Sequence, residues 1–344
     1  MKTLMLSSNN IKSIIKQVGI DEFMDASINN IENYFLYLGK KYERRQRIGF
    51  FFRNGRTVES MPCRKIGSKI LFKTVNFHET NCLRGLPTVM SSTILCDEKT
   101  GFQEVITDST LLTYIRTGAA TAIATKYLAR KESSKVGVIG AGSVGQACLH
   151  AISRIYNLTK IYIWDTDNNA LETFRKRMEK IIKKPIEIEH PKKFVPDIDI
   201  LTTTTYGNKK IVKNLWVPKG IHINAIGGDA PGKQELDGNI LKRAKIVVDY
   251  KEQAITEGEI NVPITKGIIS IEDVHAELSD VVKKKKNSRK NSSEITLFDS
   301  TGDPLEDLAI IELLLKYNKR FNLGKKTNFI YSPSHTKDPY KDLR

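Results

Sequence analysis

Residues 136–145 read VGVIGAGSVG, an apolar strand that runs directly into Gly140-x-Gly142-x-x-Gly145. Residues of helical pattern follow, and a second apolar run, KIYIW at 160–164, leads into Asp165, twenty positions after the last glycine. Strand, glycine turn, helix and delayed acid in that order mark a dinucleotide-binding βαβ unit, where a bare glycine pattern would say little. The glycines permit a tight turn, close backbone approach to a pyrophosphate and close packing of helix on strand. The helix N-terminus, opening at Ser143 and Val144, offers free N–H groups and a favourable dipole to the phosphate charge. Asp165 is spaced to accept hydrogen bonds from an adenosine ribose diol and to repel a 2′-phosphate, so the expected cofactor is NAD and not NADP.

The pattern around this unit extends it. Strands at 135–139, 160–164, 186–190 and 199–204 alternate with helices at 144–156 and 168–183, and further strands follow at 221–226 and 245–249. That alternation predicts an α/β fold with a Rossmann-type doubly wound parallel sheet. Upstream, the first forty residues read as helical, with apolar positions at helical spacing in IKSIIKQVGI and IENYFLYLGKK. From 47 to 106 the runs GFFFR, KILFKTV, TVMSSTIL and FQEVIT predict an antiparallel sheet. Asp108 and Ser109 then offer N-caps to a helix rich in small residues, LLTYIRTGAATAIATKYLAR. A helix near 272–282, a strand at 294–300, a helix from Pro304 to Phe321 and a polar tail close the chain.

The expected organisation is an α+β substrate-binding and dimerisation domain, residues 1–125 with 305–344, into which an NAD-binding domain, 126–304, is inserted. The substrate site would then lie in the cleft between them.

Composition narrows the partners. Hydrophobic content of 40% and charged content of 27% are ordinary for a water-soluble globular protein. No apolar stretch reaches membrane-spanning length, and the N-terminus has no signal-peptide pattern, so a cytoplasmic location is expected. Four cysteines and six histidines show no metal-ligand spacing, and no metal is expected. The net charge of +16 raises nucleic acid as a partner. Its densest run, KKKKNSRK at 283–290, lacks the interleaved aromatics of a single-strand binder and reads as a solvated loop. No nucleic-acid or membrane partner is expected.

Three charged positions stand out in apolar or glycine-rich settings. Asp229, in NAIGGDAPGKQEL, follows a strand whose carboxyl end should face the cofactor crevice, where it could exchange protons with an amine. An aspartate in such a loop serves equally well as an Asx-turn residue or N-cap. Lys73 interrupts the apolar run ILFKTVN, and Arg116 sits inside the small-residue helix. The two cations either converge on a carboxylate or extend to solvent from buried stems.

Together these segments resemble the ornithine cyclodeaminase/mu-crystallin family. The resemblance is carried by VESMP (58–62), FKTVNFHETNCLRGLPTVM (72–90), LLTYIRTGAATA (111–122), VGVIGAGSVG and INAIGGDAPGKQELDGNILKRAKIVVDY (223–250). ITEGEI (255–260), TLFDSTGDPLEDLAI (296–310) and the tail KDPYKDL fit as well. It implies that Lys73, Arg116 and Arg47 bind a substrate carboxylate, that Glu59 and Thr88 line the substrate site, and that Asp229 is the acid/base. It also implies that Thr117, Lys233 and Ser300 contact the cofactor. One departure is Gly118, where RTGAA replaces the commoner RTAAA and should loosen the helix. The implied protein is a homodimeric ornithine cyclodeaminase that converts L-ornithine to L-proline and ammonia while NAD is recycled. The alternatives are an NAD-dependent amino-acid dehydrogenase, a ketimine reductase, a lysine cyclodeaminase or a non-catalytic binding protein.

Overall fold

The computed structural model describes residues 1–52, 55–206 and 209–343. Arg53, the last residue of GFFFR, and Arg344 lie outside the described residues. The chain opens with β1 (Thr3–Leu6), α1 (Ser8–Val18) and α2 (Ile20–Tyr37). Next come β2 (Tyr42–Arg44), β3 (Ile48–Phe51), β4 (Thr57–Lys65), β5 (Lys69–Phe77), β6 (Val89–Asp97) and β7 (Gln103–Asp108). The long helix α3 (Thr110–Leu128) leads into β8 (Lys135–Ile139), α4 (Ser143–Ile155), β9 (Lys160–Trp164), α5 (Asn168–Ile182) and β10 (Glu187–Ile188). After α6 (Pro191–Phe194) follow β11 (Ile200–Thr203), β12 (His222–Ala225), α7 (Gly238–Arg243) and β13 (Ala244–Val248). Two short helices, α8 (Lys251–Glu257) and α9 (Asn261–Thr265), precede β14 (Val274–Glu277), α10 (Leu278–Val282) and β15 (Ile295–Asp299). Helix α11 (Pro304–Phe321) and β16 (Lys325–Thr327) end the fold.

Two sheets result. The nucleotide sheet has the order β10-β9-β8-β11-β12-β15-β13-β14, every neighbouring pair parallel. Strand order reverses between β8 and β11, and ligands bind beyond the carboxyl ends of strands at such a switch point. The other sheet runs β16-β1-β7-β6-β5-β4-β2, with β3 also on β4. Strict alternation along β4 and β5 turns Glu59, Met61, Leu71 and Lys73 inward and Val58 and Phe72 outward. The inward face packs against α3 and α11, so α11 returns to the first sheet.

Several local expectations need correction. The first residues are not helical: β1 pairs in parallel with β7 and antiparallel with β16, which makes this sheet mixed. Its buried Leu6 and the polar tail strand beside it supplied too short a pattern to read. The span 272–282 is not one helix: after a 3-10 turn at Ile271–Asp273, Val274–Glu277 form the parallel edge strand β14, because Val274 and Ala276 alternate into the core, and an α-helix begins only at Leu278. Ser109 stands at the N-cap of α3 but makes no side-chain cap bond, since its hydroxyl pairs with Thr93 at 2.5 Å. The lysine-rich loop is solvated at Lys284–Lys286, yet Arg289 turns inward to donate to the Leu128 carbonyl at 2.8 Å and to Thr296 at 2.9 Å.

Gly118 does not loosen α3. It is the point of closest approach to α4: a β-carbon there would lie 2.4 Å from the Ala147 carbonyl oxygen. Helix propensity alone gives Gly118→Ala a gain of up to about 1 kcal/mol. Overpacking against rigid backbone outweighs it, and a net loss of roughly 1–3 kcal/mol is expected, read from the urea midpoint. An unchanged or raised midpoint would contradict this packing account.

Candidate active site

The nucleotide turn is built by close contacts that exclude side chains. Gly140 has φ +112°, and a β-carbon on it would lie 2.6 Å from the Thr204 hydroxyl at the end of β11. A β-carbon on Gly145 would meet the Gly140 carbonyl at 2.3 Å, whereas Gly142 faces open space. Gly142 is the N-cap of α4 and brings no side-chain cap, so the first N–H groups of a 13-residue helix point toward that space. This arrangement suits a pyrophosphate. Half-buried Asp165 accepts from the Ala141 N–H at 2.7 Å and the Asp167 N–H at 3.1 Å, and so holds the turn itself. The residues present therefore fit NAD.

A cleft opens from this turn to the first sheet. Arg47, Glu59, Thr88, Arg116 and Asp229 line it, as do Thr117, Ser143, Val144, Lys233 and Ser300. Lys73 does not reach the wall. It is fully buried, with its ammonium 2.7 Å from Asp307 at the start of α11. Burial, with the Arg116 charge beside it, lowers Lys73 to about 8 against the pull of Asp307.

The N-terminal turn of α11 supplies the counter-charges. Asp303 caps the helix, Pro304 opens it, and Glu306 and Asp307 follow in its first turn, where the helix dipole favours anions. Arg44 pairs with Asp303 and, at 2.6 Å, with Glu277. The Arg116 guanidinium sits 2.9 Å from Glu306 and 3.4 Å from Asp307. Gly302, at φ +98°, leaves room for that guanidinium: a β-carbon there would lie 2.9 Å from its Nη1. Asp249, at the end of β13, accepts from the Thr301 and Gly302 N–H groups, both at 2.6 Å, and fixes this loop.

At the other wall, Arg47 is sandwiched. Its Nε lies 2.9 Å from Glu59 and also pairs with Glu257, and its Nη2 donates to the Asp229 carbonyl at 2.6 Å. Burial, then the Glu59 and Asp229 charges, raise Glu257 to about 7 despite Arg47. Burial raises Glu59 as well. The Asp229 carboxylate accepts from Lys233 at 2.7 Å, and the Lys233 ammonium lies over the Phe77 ring at 4.1 Å. Asp229 keeps 41% side-chain exposure, so it is paired yet open to the cleft.

Three buried carboxylates behind the cleft connect its walls in series. Asp299, at the end of β15, accepts from the Glu259 and Ile260 N–H groups at 2.9 and 3.1 Å. Glu259 accepts from the Leu236 N–H at 2.7 Å, and Glu235 from those of Thr205 at 2.7 Å and Gly227 at 2.9 Å. Burial raises all three carboxyls above their ordinary range. Sequence reading missed Glu235, Glu257 and the acids of the α11 turn, since an acid beside glycine or near a helix start usually faces water. For all but Glu235 the one usable signal was the density of acids in ITEGEI and DPLED, two segments with no lysine in a lysine-rich chain.

Residues 8–319 match the profile of the ornithine cyclodeaminase/mu-crystallin family. An alanine dehydrogenase of Archaeoglobus fulgidus is 40% identical over 96% of this chain and 99% of its own length. An ornithine cyclodeaminase of Brucella suis is 30% identical over 97% of this chain and 92% of its own length. An archaeal alanine dehydrogenase dimer solved with bound NAD has a TM-score of 0.89 at 39% identity, covering 96% of this chain and all of that one. A lysine cyclodeaminase, solved to explain recognition of L-lysine, L-ornithine and L-2,4-diaminobutyric acid, has a TM-score of 0.93 at 30% identity over 99% of each chain. The nucleotide turn, the doubly wound sheet and similarity along nearly the whole length agree, and the chain belongs to the ornithine cyclodeaminase/mu-crystallin family.

Proposed function

We propose that this protein is an NAD-dependent enzyme acting on an L-α-amino acid that carries a second amine, with L-ornithine the foremost candidate and L-proline and ammonia the products. The observation that carries this reading is the charge of the Arg47 wall. Three carboxyls, Glu59, Glu257 and Asp229, face two cations, Arg47 and Lys233, and the wall carries a full negative excess once Glu257, lifted to about 7, has ionised. A side-chain ammonium would neutralise that excess, whereas an alanine methyl group would leave it standing. Across the cleft, Arg116 offers its guanidinium to the α-carboxylate.

The turn at Gly140, Gly142 and Gly145 and the α4 N-terminus would hold NAD, whose chemistry would be reversible hydride acceptance from Cα. Asp229 takes the proton that the α-ammonium must lose before oxidation. Arg116 at one end and the acidic wall at the other hold the chain folded; once the second ammonium has passed a proton to that wall, the free amine attacks Cα within the same molecule and the α-nitrogen leaves as ammonia. Such positioning lowers barriers by up to about 7–11 kcal/mol in favourable systems.

Incubation with L-ornithine and sub-stoichiometric NAD+ tests the reading. Many prolines and ammonias per NAD, without net NADH, are expected. Stoichiometric NADH from alanine would instead support an alanine dehydrogenase, the reading favoured by the 40% identical relative. Preferential pipecolate formation from L-lysine would move the assignment by one methylene.

The homodimer belongs to the same proposal. Phe72 and Val58 on the outward sheet face, with Ile48 and Phe50 of β3, form an exposed apolar surface suited to a second copy. A monomeric mass by sedimentation would overturn it.

A further inference from the structure

The Arg116 wall contains a charge problem. Arg116 and Lys73 are both buried, and Glu306 and Asp307 stand against them. With every group ionised the four sum to zero, and an arriving carboxylate would make this enclosed cluster negative. Glu306 and Asp307 are both buried, and each has one oxygen that accepts no hydrogen bond among the described residues. They differ in their cations: Asp307 lies between Lys73 at 2.7 Å and Arg116 at 3.4 Å, whereas Glu306 meets Arg116 at 2.9 Å and no second cation among the described residues. A buried carboxylate oxygen without a donor is expensive, and a proton there removes the charge.

We propose that Glu306 is a proton-carrying counter-charge: neutral when the cleft is empty, it leaves Arg116 and Lys73 with one uncompensated positive charge, and its ionisation as pH rises weakens capture of the substrate carboxylate. The proposal rests on the reading of Arg116 as the carboxylate site. The groups that face Glu306 agree with it. From its own helix come Asp303 and Asp307, and from the end of β13 comes Asp249, all of which oppose a further negative charge. Arg116 of α3 opposes protonation, while Arg44 of β2 is committed to Asp303 and Glu277. Lys73 of β5 is held by Asp307. The thiols of Cys63 on β4 and Cys148 on α4 are pushed up by burial and stay neutral. Burial, outweighing Arg116, lifts the Glu306 carboxyl to about 8.

The sign follows from linkage. A bound carboxylate raises the Glu306 proton affinity, so binding favours the protonated form and is lost as pH rises through the value in the empty enzyme. Propionate is the suitable probe, because it has the carboxylate and no amine to titrate. Its inhibition constant against the amino-acid substrate, measured on the NAD-loaded enzyme from pH 6.5 to 9.5, should rise about tenfold or more toward the alkaline end. In Glu306→Gln the rise should shrink to the part contributed by Lys73, itself lowered to about 8. A flat wild-type profile, or a rise of undiminished size in Glu306→Gln, would overturn the proposal.

Should the variant fail to fold, wild-type calorimetry in two buffers of different ionisation enthalpy decides the matter. Proton uptake on propionate binding above the inflection supports the idea, and its absence sinks it. No propionate binding at any pH, with Arg116→Lys leaving substrate KM unchanged, would instead remove the carboxylate-site reading itself, and the proposal with it.

Discussion

Asp229→Asn is expected to lower turnover by roughly 10²–10⁴-fold, the range over which a positioned acid/base acts. Its affinity for NAD+ should stay within a factor of about two, because the cleft residues at the nucleotide turn do not depend on this side chain. The amide keeps the shape and can still accept from Lys233, but it cannot take a proton. Asp229 is also surface-accessible enough that the fold should tolerate the change. Single-turnover rates together with NAD+ titration by fluorescence separate the outcomes. Weakened NAD+ binding at preserved turnover would show that Asp229 serves the cofactor rather than the proton.

Arg116 carries the second large effect, divided between stability and binding. Arg116→Leu takes the guanidinium from Glu306 and Asp307; Asp307 keeps Lys73, and a protonated Glu306 loses its hydrogen-bond partner, which costs about 1–3 kcal/mol. A marked fall in the denaturant midpoint is expected. Arg116→Lys keeps the charge and much of the stability but loses the forked geometry. The lost charge-assisted bond of about 1.5–3 kcal/mol corresponds to a KM increase of roughly 10- to 150-fold with kcat less affected. A wild-type KM in the lysine variant would place the substrate carboxylate elsewhere.

The parts of the fold that were legible share one property: their signal is local. The glycine turn, the strand runs on either side of it and α11 from Pro304 to Phe321 all carry patterns within a few residues. Strand β1 and edge strand β14 were lost because four residues of mixed polarity encode little by themselves, and their pairing partners lie far along the chain. The site divides the same way. Arg47, Glu59, Arg116 and Asp229 were found through sequence segments and do meet at one cleft. Lys73 was found too, but its burial behind the wall could not be read, because the partner that holds it is 234 positions away. Glu306 and Asp307 escaped for the complementary reason. An acid on a helix N-terminal turn looks like ordinary dipole compensation until its neighbours in space are known.

The position of those acids on α11 has a bearing on synthesis. Lys73 and Arg116 leave the ribosome long before Asp303, Glu306 and Asp307, and domains begin to form from the N-terminal side during translation. Until the last helix docks, two cations intended for the interior have no carboxylates to receive them, so the early sheet must stay open or keep them wet. The contacts described above for the dinucleotide turn come from Asp165 and Thr204, both made before α11, so the turn can mature first. On the proposed carboxylate-site reading, each molecule would gain its grip on the amino acid only at the end of its own making, and a chain stopped short of Asp303 would keep the glycine turn without that grip.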